Sequence, residues 1–280
     1  MKHVLAVAVA AALTCTCAGV ARAQSMDDWT GFSVGLLGGA LDADDEEGEV
    51  LLFDRNLDGT FGETVTTSGG ADAFSPGFCG GQGLTNSAAG GCDDDKEGYE
   101  GAVRVGYDVQ WGGWVVGAVV EVGGTSAEDS VTGFSSTPAG YSFKRSLHDL
   151  TAARLRLGYV VGPVLVYGTG GVARGSIDNR FFTTNSVNSF TALNPDEQDL
   201  DGVQYGGGLE WRLAPNLSLV GEYVRTELDA DDPFVIRVGR GAAPATNPFI
   251  LAPNSTGTDI IRSSDEFTVN ALRIGMVVRY

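Results

Sequence analysis

One segment of the sequence has the residue types and spacing of a calcium-binding loop. Residues 54–59 read DRNLDG, so Asp54, Asn56 and Asp58 alternate with other residues before a glycine. Calcium prefers oxygen ligands, and this order opens the calcium loop of EF-hand proteins. An EF-hand also needs a glutamate at its twelfth position, where this chain has Val65. We favour a β-hairpin, since Asp-Gly between strand-like runs is a strong turn signal, and a hairpin does not exclude a calcium site.

The N-terminal residues have the pattern of a secretory signal peptide. Lys2 and His3 precede an apolar run, and Ala21-Arg22-Ala23 supplies the small residues of a cleavage site. We therefore predict that residues 1–23 are removed on export and that residues 24–280 form the mature protein.

Two further short motifs are a cysteine pair and a glycine-rich tetrapeptide. Cys79 and Cys92 flank a glycine-rich stretch in which chain closure is easy. In an exported protein such a pair favours a disulfide, and two free thiols are the alternative. The GTGG sequence at residues 168–171 has the composition of a phosphate-binding loop. It lies in a strand-like run that no helical pattern follows, so we interpret it as small residues that pack inside the fold.

The charge and hydropathy of the chain exclude several classes of protein. The sequence has 36 acidic and 18 basic residues and a net charge of −18. This balance argues against nucleic-acid binding, which requires a basic surface. After the signal, no apolar run approaches the ~20 residues of a transmembrane helix. A membrane-spanning structure would therefore have to be built from strands.

Alternation of apolar with small or polar residues, the pattern of β-strands, occurs in eight places. Short connections such as Trp111-Gly112-Gly113 alternate strictly with long ones along the chain. Short turns at one end of antiparallel strands and long loops at the other are typical of outer-membrane barrels. The predicted strands are 29–40, 97–110, 114–125, 146–161, 163–176, 202–213, 217–228 and 271–280, and the long loops are 41–96, 126–145, 177–201 and 229–264.

The two faces of these predicted strands differ in composition. One face is apolar, whereas the other is rich in glycine and carries six arginines, four acids and no lysine. Solvated surfaces use lysine freely, while enclosed and paired charges favour arginine. We therefore predict charges inside and the apolar face toward lipid, rather than a soluble barrel of the lipocalin type. The predicted lumen residues are Arg104, Asp108, Glu121, Arg154, Arg156, Glu210, Arg212, Glu222, Arg273 and Arg279.

These patterns predict an all-β fold, an eight-stranded antiparallel up-and-down transmembrane β-barrel with short periplasmic turns and long extracellular loops. Residues 41–96 form the first of these loops. Such a barrel is only just wide enough for its own side chains to fill, and buried charges are tolerated when they are paired. Glu121, Glu210 and Glu222 are therefore each expected to meet an arginine. Aromatic residues near the strand ends are expected to form an interfacial girdle: Trp29, Tyr107, Trp111, Trp114, Tyr159, Trp211 and Tyr280.

Four stretches of the sequence resemble the outer-membrane β-barrel (porin family) proteins of α-proteobacteria, a group that includes small surface antigens. They are WTGFSVGLLGGA from residue 29, LTAARLRLGYVVGPVLVYGTGGVARG from 150, GGGLEWRLAPNLSLVGEYVRTEL from 206, and the C-terminal ALRIGMVVRY. The resemblance implies an eight-stranded barrel in the Gram-negative outer membrane, inserted by the barrel-assembly machinery. That machinery recognises a final strand that ends in an aromatic residue, here Tyr280 in place of the usual phenylalanine.

The resemblance leaves several functions open. Members of the family are described as porins, adhesins or envelope-stabilising proteins. We expect a non-enzymatic barrel that displays acidic loops as an adhesin or antigen, with a low-conductance porin as the alternative. Some outer-membrane barrels modify lipid A and use a serine and a histidine for this reaction. Ser146 and His148 have no orienting acid on their face, so we interpret His148 as a polar residue at the mouth of the lumen.

The expected partners are those of an outer-membrane surface. We predict no nucleic acid and no cofactor beyond calcium in the first loop. The acidic runs 42–49 and 93–97 fit solvated loops, but divalent cations would also bridge them to phosphates of lipopolysaccharide. The sequence does not indicate an oligomeric state.

Overall fold

The described part of the chain consists mostly of β-strands, with 3-10 helices at Ala88–Gly90 and Pro248–Ile250. The computed structural model describes residues 28–43, 48–93, 95, 97–253 and 256–280, so the predicted signal peptide lies outside the described residues. These residues include no helix with the length and hydropathy of a membrane span. The strands are β1 Gly31–Ala43, β2 Leu51–Asp54, β3 Gly77–Gly80, β4 Gln82–Gly83, β5 Cys92–Asp93, β6 Gly98–Trp111, β7 Trp114–Thr125, β8 Glu128–Ser135, β9 Ala139–Val161, β10 Val164–Thr183, β11 Ser189–Ala192, β12 Glu197–Ala214, β13 Leu217–Asp229, β14 Ile236–Gly239, β15 Thr258–Arg262 and β16 Glu266–Arg279.

Eight of these strands pair in a closed antiparallel ring. Their order around the ring is β1, β6, β7, β9, β10, β12, β13 and β16. The last strand, β16, pairs back onto β1, with Val34 opposite Val278. Backbone hydrogen bonds between Phe32 and Tyr280, of 2.8 and 3.2 Å, extend this seam to the last residue. The prediction of an eight-stranded antiparallel barrel is confirmed.

Short turns and long loops alternate between neighbouring ring strands. The short turns are residues 112–113, 162–163 and 215–216. Gly112 and Gly162 have φ angles of 59° and 58°, a region that glycine adopts without steric cost. All long loops consequently leave the ring at the same end. They are loop 1 (44–97), loop 2 (126–138), loop 3 (184–196) and loop 4 (230–265).

The outward face of the ring is an apolar belt. Leu36, Leu155 and Leu272 are 67%, 70% and 69% exposed, whereas Arg154 and Arg273, on the same strands as two of them, are 2% and 3% exposed. Successive strand residues point to opposite faces, so one alternation produces both the belt and the charged interior. An apolar exterior of this kind is what a lipid bilayer requires of a barrel.

Aromatic residues surround the belt at its short-turn edge. Trp111, Trp114, Tyr159, Trp211 and Tyr280 are each about half exposed or more. The rings of Trp114 and Tyr159 meet edge to face, with their centroids 5.2 Å apart. Aromatic residues at this position match the interfacial girdle of membrane barrels.

The four long loops fold together into a second β-structure, which we call the loop head. One layer is a four-stranded sheet in the order β11, β14, β15, β2. The other layer consists of the loop-end residues of β9 and β10 together with β8 and β3. Between them lies an apolar core that includes Phe53, Phe74, Tyr141, Phe143 and Ile260. The loops are therefore a packed unit with a core of its own.

The hairpin expected after residue 51 is wrong. β2 pairs with β15 of loop 4, with Phe53 opposite Ile260, and not with the residues that follow it. Phe53 O accepts hydrogen bonds from Gly62 N and Glu63 N, both of 3.0 Å, so the chain turns back without forming a second strand. The distant pairing prevails because it buries Phe53 and Ile260 in the core of the loop head.

Candidate functional site

The predicted lumen residues form two tiers of ion pairs inside the ring. In the tier nearer the loop head, Glu121 pairs with Arg154 at 2.5 Å, with Arg273 at 2.7 Å and with Arg104. Glu222 pairs with Arg154 at 2.9 Å and with Arg104. These five residues are at most 3% exposed. They come from β6, β7, β9, β13 and β16, so the tier connects strands that are not neighbours in the ring.

Glu100 is a lumen carboxylate that the sequence analysis missed. It pairs with Arg273, and its side chain is 4% exposed. With Glu100 this tier contains as many carboxylates as arginines, so its charges balance. Its alternation with Ala102 and Arg104 at the start of β6 could have identified Glu100 as a lumen residue. It was missed because it follows an acidic run that we interpreted as a loop.

The tier nearer the short turns is a closed set of four charges. Arg156 pairs with Glu210 at 2.7 Å and with Asp108. Arg279 pairs with Asp108 at 2.6 Å and with Glu210 at 3.0 Å. Each arginine thus contacts both carboxylates, and all four residues are at most 3% exposed. Enclosed charges of this kind are stable only when they are fully paired.

Trp29 lies inside the ring at the short-turn end, so its predicted place in the girdle is wrong. Its side chain is fully buried and packs against Val115 and Leu165. The guanidinium groups of Arg212 and Arg279 lie 4.2 and 5.6 Å from the centre of its ring. These cation–π contacts explain why the indole turns inward. Arg212, the sixth predicted arginine, also donates to the carbonyl of Asp28 at 2.7 Å.

Apolar side chains fill the ring at the end nearer the loop head. Leu147, Leu200, Leu228 and Phe267 are at most 1% exposed and belong to one cluster. A hydrated ion would lose its water on entering such a layer, which is costly. A cavity beside Glu121 has a volume of about 10 Å³, about the space of one water molecule. The lumen is therefore packed from Trp29 to the apolar cluster.

His148 lies on the exposed surface, and its predicted place at the lumen mouth is wrong. The β9–β10 register shifts between Ser176 and Ile177 opposite this residue, and such a bulge re-aims side chains. Its Nε2 lies 3.0 Å from Asp178 Oδ2. Among the described residues, the hydrogen bond of His148 is to this acid and not to Ser146, so the two do not form a nucleophile–base pair.

The DRNLDG segment is a turn held by its own side chains. The carboxylate of Asp54, which is 1% exposed, accepts from Leu57 N at 2.6 Å and Gly59 N at 2.7 Å. Asn56 Nδ2 donates to Asp58 Oδ2 at 2.9 Å. Within the described ranges, no three acidic, cysteine or histidine side chains are grouped so that they could hold a metal. The calcium site on Asp54, Asn56 and Asp58 stays a prediction.

The predicted disulfide is present in loop 1. Cys79 of β3 and Cys92 of β5 are bonded, with their Cα atoms 6.3 Å apart. The bridge joins the two ends of the segment that contains β4. It thereby holds this segment beside β8, with which β3 pairs.

A buried ion-pair cluster joins the loop head to the ring. Arg262 of loop 4 donates to both carboxylate oxygens of Glu49 at 2.5 and 2.6 Å. Arg262 also donates to Asp129 at 2.8 Å, which accepts from Arg145 at 2.5 and 3.0 Å. The guanidinium of Arg145 lies 5.3 Å from the ring centre of Phe267 in the apolar cluster. Loops 1, 2 and 4 are thus tied to β9 by four charges.

The two carboxyl groups of this cluster differ in acidity. Burial raises the pKa of Glu49, although Arg262 acts in the opposite direction. Burial would also raise the pKa of Asp129, but Arg145 and Arg262 outweigh it and hold this pKa below its usual value. Asp129 is therefore the carboxylate whose ionised form stabilises the cluster.

The chain is similar to known outer-membrane proteins. The family described as outer membrane protein beta-barrel domain matches residues 8–242. The 31 kDa outer-membrane immunogenic proteins of Brucella melitensis and Brucella suis are 28% identical to it over 192 residues, which cover 62% of this chain and 78% of each relative. The 22 kDa outer membrane protein of Rhizobium leguminosarum bv. viciae is 29% identical over 156 residues, 55% of this chain and 64% of that protein.

Solved structures of outer-membrane proteins also match. The outer membrane protein OprG from Pseudomonas aeruginosa aligns with a TM-score of 0.49 at 12% identity, over 90% of this chain and 98% of that one. Neisserial surface protein A aligns with a TM-score of 0.34 at 11% identity, with the same coverage.

Proposed function

Because this chain belongs to the outer membrane protein β-barrel family and lies in the outer membrane of a Gram-negative bacterium, we propose that it is a non-enzymatic surface protein whose barrel anchors the loop head. One observation carries this proposal: the lumen is filled with paired charges and apolar side chains, from Trp29 to Phe267. A barrel packed in this way holds its strands together and excludes water. Its functional surface is then the loop head.

The loop head suits display outside the cell. Long loops of outer-membrane barrels face the exterior, and here all four are folded around a shared core. The disulfide Cys79–Cys92 fits an oxidising location. The Brucella relatives are named immunogenic proteins, which supports an exposed surface. An adhesin or antigen is the role that follows.

Two partners belong to the same proposal. The barrel-assembly machinery would recognise the C-terminal strand that ends at Tyr280, whose aromatic ring lies at the edge of the belt. Lipopolysaccharide would surround the outer half of the barrel, where divalent cations would bridge its phosphates to acidic loop residues.

A low-conductance porin is the second candidate, favoured by the polar lining and by the small cavity beside Glu121. Planar-bilayer recording of the refolded protein separates the two functions. We expect no discrete openings at neutral pH, with a wide porin inserted in the same bilayer as the positive control. Uniform openings that disappear on boiling the protein would instead establish the porin.

Surface display is tested by antibody labelling of intact cells that carry an epitope inserted at Gly69. Cells that the antibody does not label would contradict it.

A further inference from the structure

All four long loops contribute to one groove in the loop head, which we call the apical groove. Its volume is about 220 Å³. Loop 1 contributes Phe74, loop 2 residues 136–138, loop 3 residues 184–187 and loop 4 residues 247–249, while Tyr141 of β9 forms part of the floor. Residues 136–138 form the tip of the β8–β9 hairpin, so the groove opens at the end of the loop head away from the ring. A site at which every loop meets is specific to the folded head.

The described lining of the groove has no charged side chain, although the chain as a whole has a net charge of −18. Phe74, Tyr141 and Phe249 form a buried aromatic floor, with ring centroids 5.4 to 6.0 Å apart, and each is at most 4% exposed. Pro138 and Pro248 form apolar walls. A charged ligand would lose its hydration here without gaining an ionic partner. The groove therefore selects a neutral ligand with apolar faces.

Hydroxyl groups surround this apolar floor. Ser136, Thr137 and Ser186 line the groove, and their side chains make no hydrogen bond to the rest of the described chain. Each hydroxyl both donates and accepts. Together they offer hydrogen bonds to a ligand that itself carries hydroxyl groups.

An amide network fixes the groove in its open shape. Asn188 Oδ1 accepts from Asn185 Nδ2 at 2.9 Å and from Asn247 Nδ2 at 3.0 Å, which links loop 3 to loop 4. Asn185 Nδ2 also donates to the hydroxyl of Tyr141 at 2.9 Å, and Asn188 Nδ2 donates to the carbonyl of Gly239 at 2.9 Å. A groove that is already ordered before binding requires little loop ordering when the ligand arrives.

We propose that the apical groove is a binding site for a neutral saccharide unit, held by its C–H faces against the proline walls above the buried aromatic floor and by its hydroxyls against the serine and threonine rim. The ligand class follows from the lining: a neutral pyranose ring combines apolar faces with a ring of hydroxyls and carries no charge. The volume suits one ring of a longer chain, since pockets for drug-sized molecules occupy roughly 300–1,000 Å³. This inference goes beyond surface display and depends on the proposed function only for access to glycans outside the cell.

The test uses the refolded full chain in a detergent without a sugar head group, such as lauryldimethylamine oxide. Saturation-transfer difference NMR is recorded with methyl glycosides of glucose, galactose, mannose and N-acetylglucosamine. Methyl glucuronide serves as the charged comparison, and a proline-rich peptide serves as the other apolar ligand. Ser136→Trp places an indole in the groove from an exposed position. Thr60→Trp, exposed on loop 1 outside the lining, is the matched control.

We expect at least one neutral glycoside to give saturable transfer, with the uronide weaker by about tenfold or more. Ser136→Trp should abolish this transfer and Thr60→Trp should retain it, while both variants keep the heat-dependent gel mobility of a folded barrel. Binding of none of the neutral glycosides, equal binding of the uronide, selective binding of the peptide, or binding unchanged by Ser136→Trp would each overturn the proposal. This assay needs neither cells nor bilayers, so an absence of glycoside binding would not contradict the proposal that the barrel anchors the loop head. Conversely, channel openings in a bilayer would contradict that proposal without affecting the measured glycoside binding.

Discussion

Arg156 and Glu210 form an ion pair of 2.7 Å inside the ring, although their strands, β9 and β12, are separated by β10. Arg279 of β16 reaches the same carboxylate from a further strand at 3.0 Å. Backbone pairing joins only neighbouring strands, whereas these side chains brace the ring across its interior. The lumen charges therefore have a structural role. Removal of one carboxylate takes one of two ionic partners from each guanidinium group that it contacts and leaves its tier with an uncompensated buried positive charge.

Glu121→Gln should strongly destabilise the barrel. The change keeps the shape of the side chain but removes the charge that Arg104, Arg154 and Arg273 share. Removal of one partner from a buried ion pair costs about 3–5 kcal/mol. Urea unfolding followed by tryptophan fluorescence measures this loss, since all tryptophans lie in the ring or its turns.

Arg174→Gln is the matched control for this variant. Arg174 pairs with Asp199 at 3.0 Å, but both side chains are more than half exposed. Exposed ion pairs contribute little to stability, so the urea midpoint should stay at the wild-type value. Equal losses from Glu121→Gln and Arg174→Gln would contradict the role assigned to the enclosed tiers.

The ring could be predicted from the sequence because its signals are local. Strict alternation over a dozen residues marked strands such as Trp114–Thr125, whose predicted bounds match the structure. Arginine without lysine on the face opposite Leu272 and Ile274 indicated which side is enclosed. The assignment of aromatic residues near strand ends to the girdle failed for Trp29, which precedes β1 and whose side-chain direction is set by Arg212 and Arg279.

The loop head could not be predicted because its contacts are distant in sequence. Glu49 and Arg262 meet in a buried ion pair, yet each lies in a segment that looks like a solvated loop. β2 and β15 are only four and five residues long, too short for alternation to identify a partner. The apical groove was missed for the same reason, since loops 2, 3 and 4 supply a few ordinary serine, threonine, asparagine and proline residues and loop 1 supplies Phe74.

Asp129→Asn should weaken the loop head at neutral pH and remove its sensitivity to acid. The pKa of Asp129 is lowered in the folded protein, so its ionised form stabilises the head above the ordinary value of 3.8 and this contribution is lost as the pH falls through the lowered pKa. Hydrogen exchange of β2 and β15, corrected for the intrinsic rate, should accelerate in the wild type below about pH 4. In the variant it should already be fast at pH 7.

Glu49→Gln is the control variant, because the pKa of Glu49 is shifted in the opposite direction to that of Asp129. The pKa of Glu49 is raised by burial, so its ionised form opposes folding at neutral pH and its protonation relieves that cost as the pH falls. The variant should therefore lose less protection at pH 7 than Asp129→Asn. Identical exchange profiles for the two variants would contradict the assignment of acid sensitivity to Asp129.

Replacement of both cysteines, Cys79→Ser with Cys92→Ser, should loosen loop 1 without disturbing the ring. The disulfide closes a loop with a sequence separation of 13 residues, and closure of a loop of this size restricts the unfolded chain by about 3 kcal/mol. Limited proteolysis should then cut near Leu84, which is 61% exposed. Wild-type protein treated with a reductant should give the same fragments. Resistance of both samples would show that packing against β8 is sufficient to hold the loop.

Tyr280→Asp should impair assembly in cells but permit refolding in detergent, because the side chain and the backbone of this residue have different tasks. The backbone closes the ring through hydrogen bonds to Phe32 of 2.8 and 3.2 Å, which any residue other than proline can form. The side chain lies half exposed at the edge of the belt, where an aromatic ring suits the interface and a carboxylate does not. Outer-membrane fractions should therefore contain much less Tyr280→Asp than wild type, while Tyr280→Phe should match the wild type. If Tyr280→Asp reaches the outer membrane in the same amount as Tyr280→Phe and the wild type, the side chain of Tyr280 is not an assembly signal.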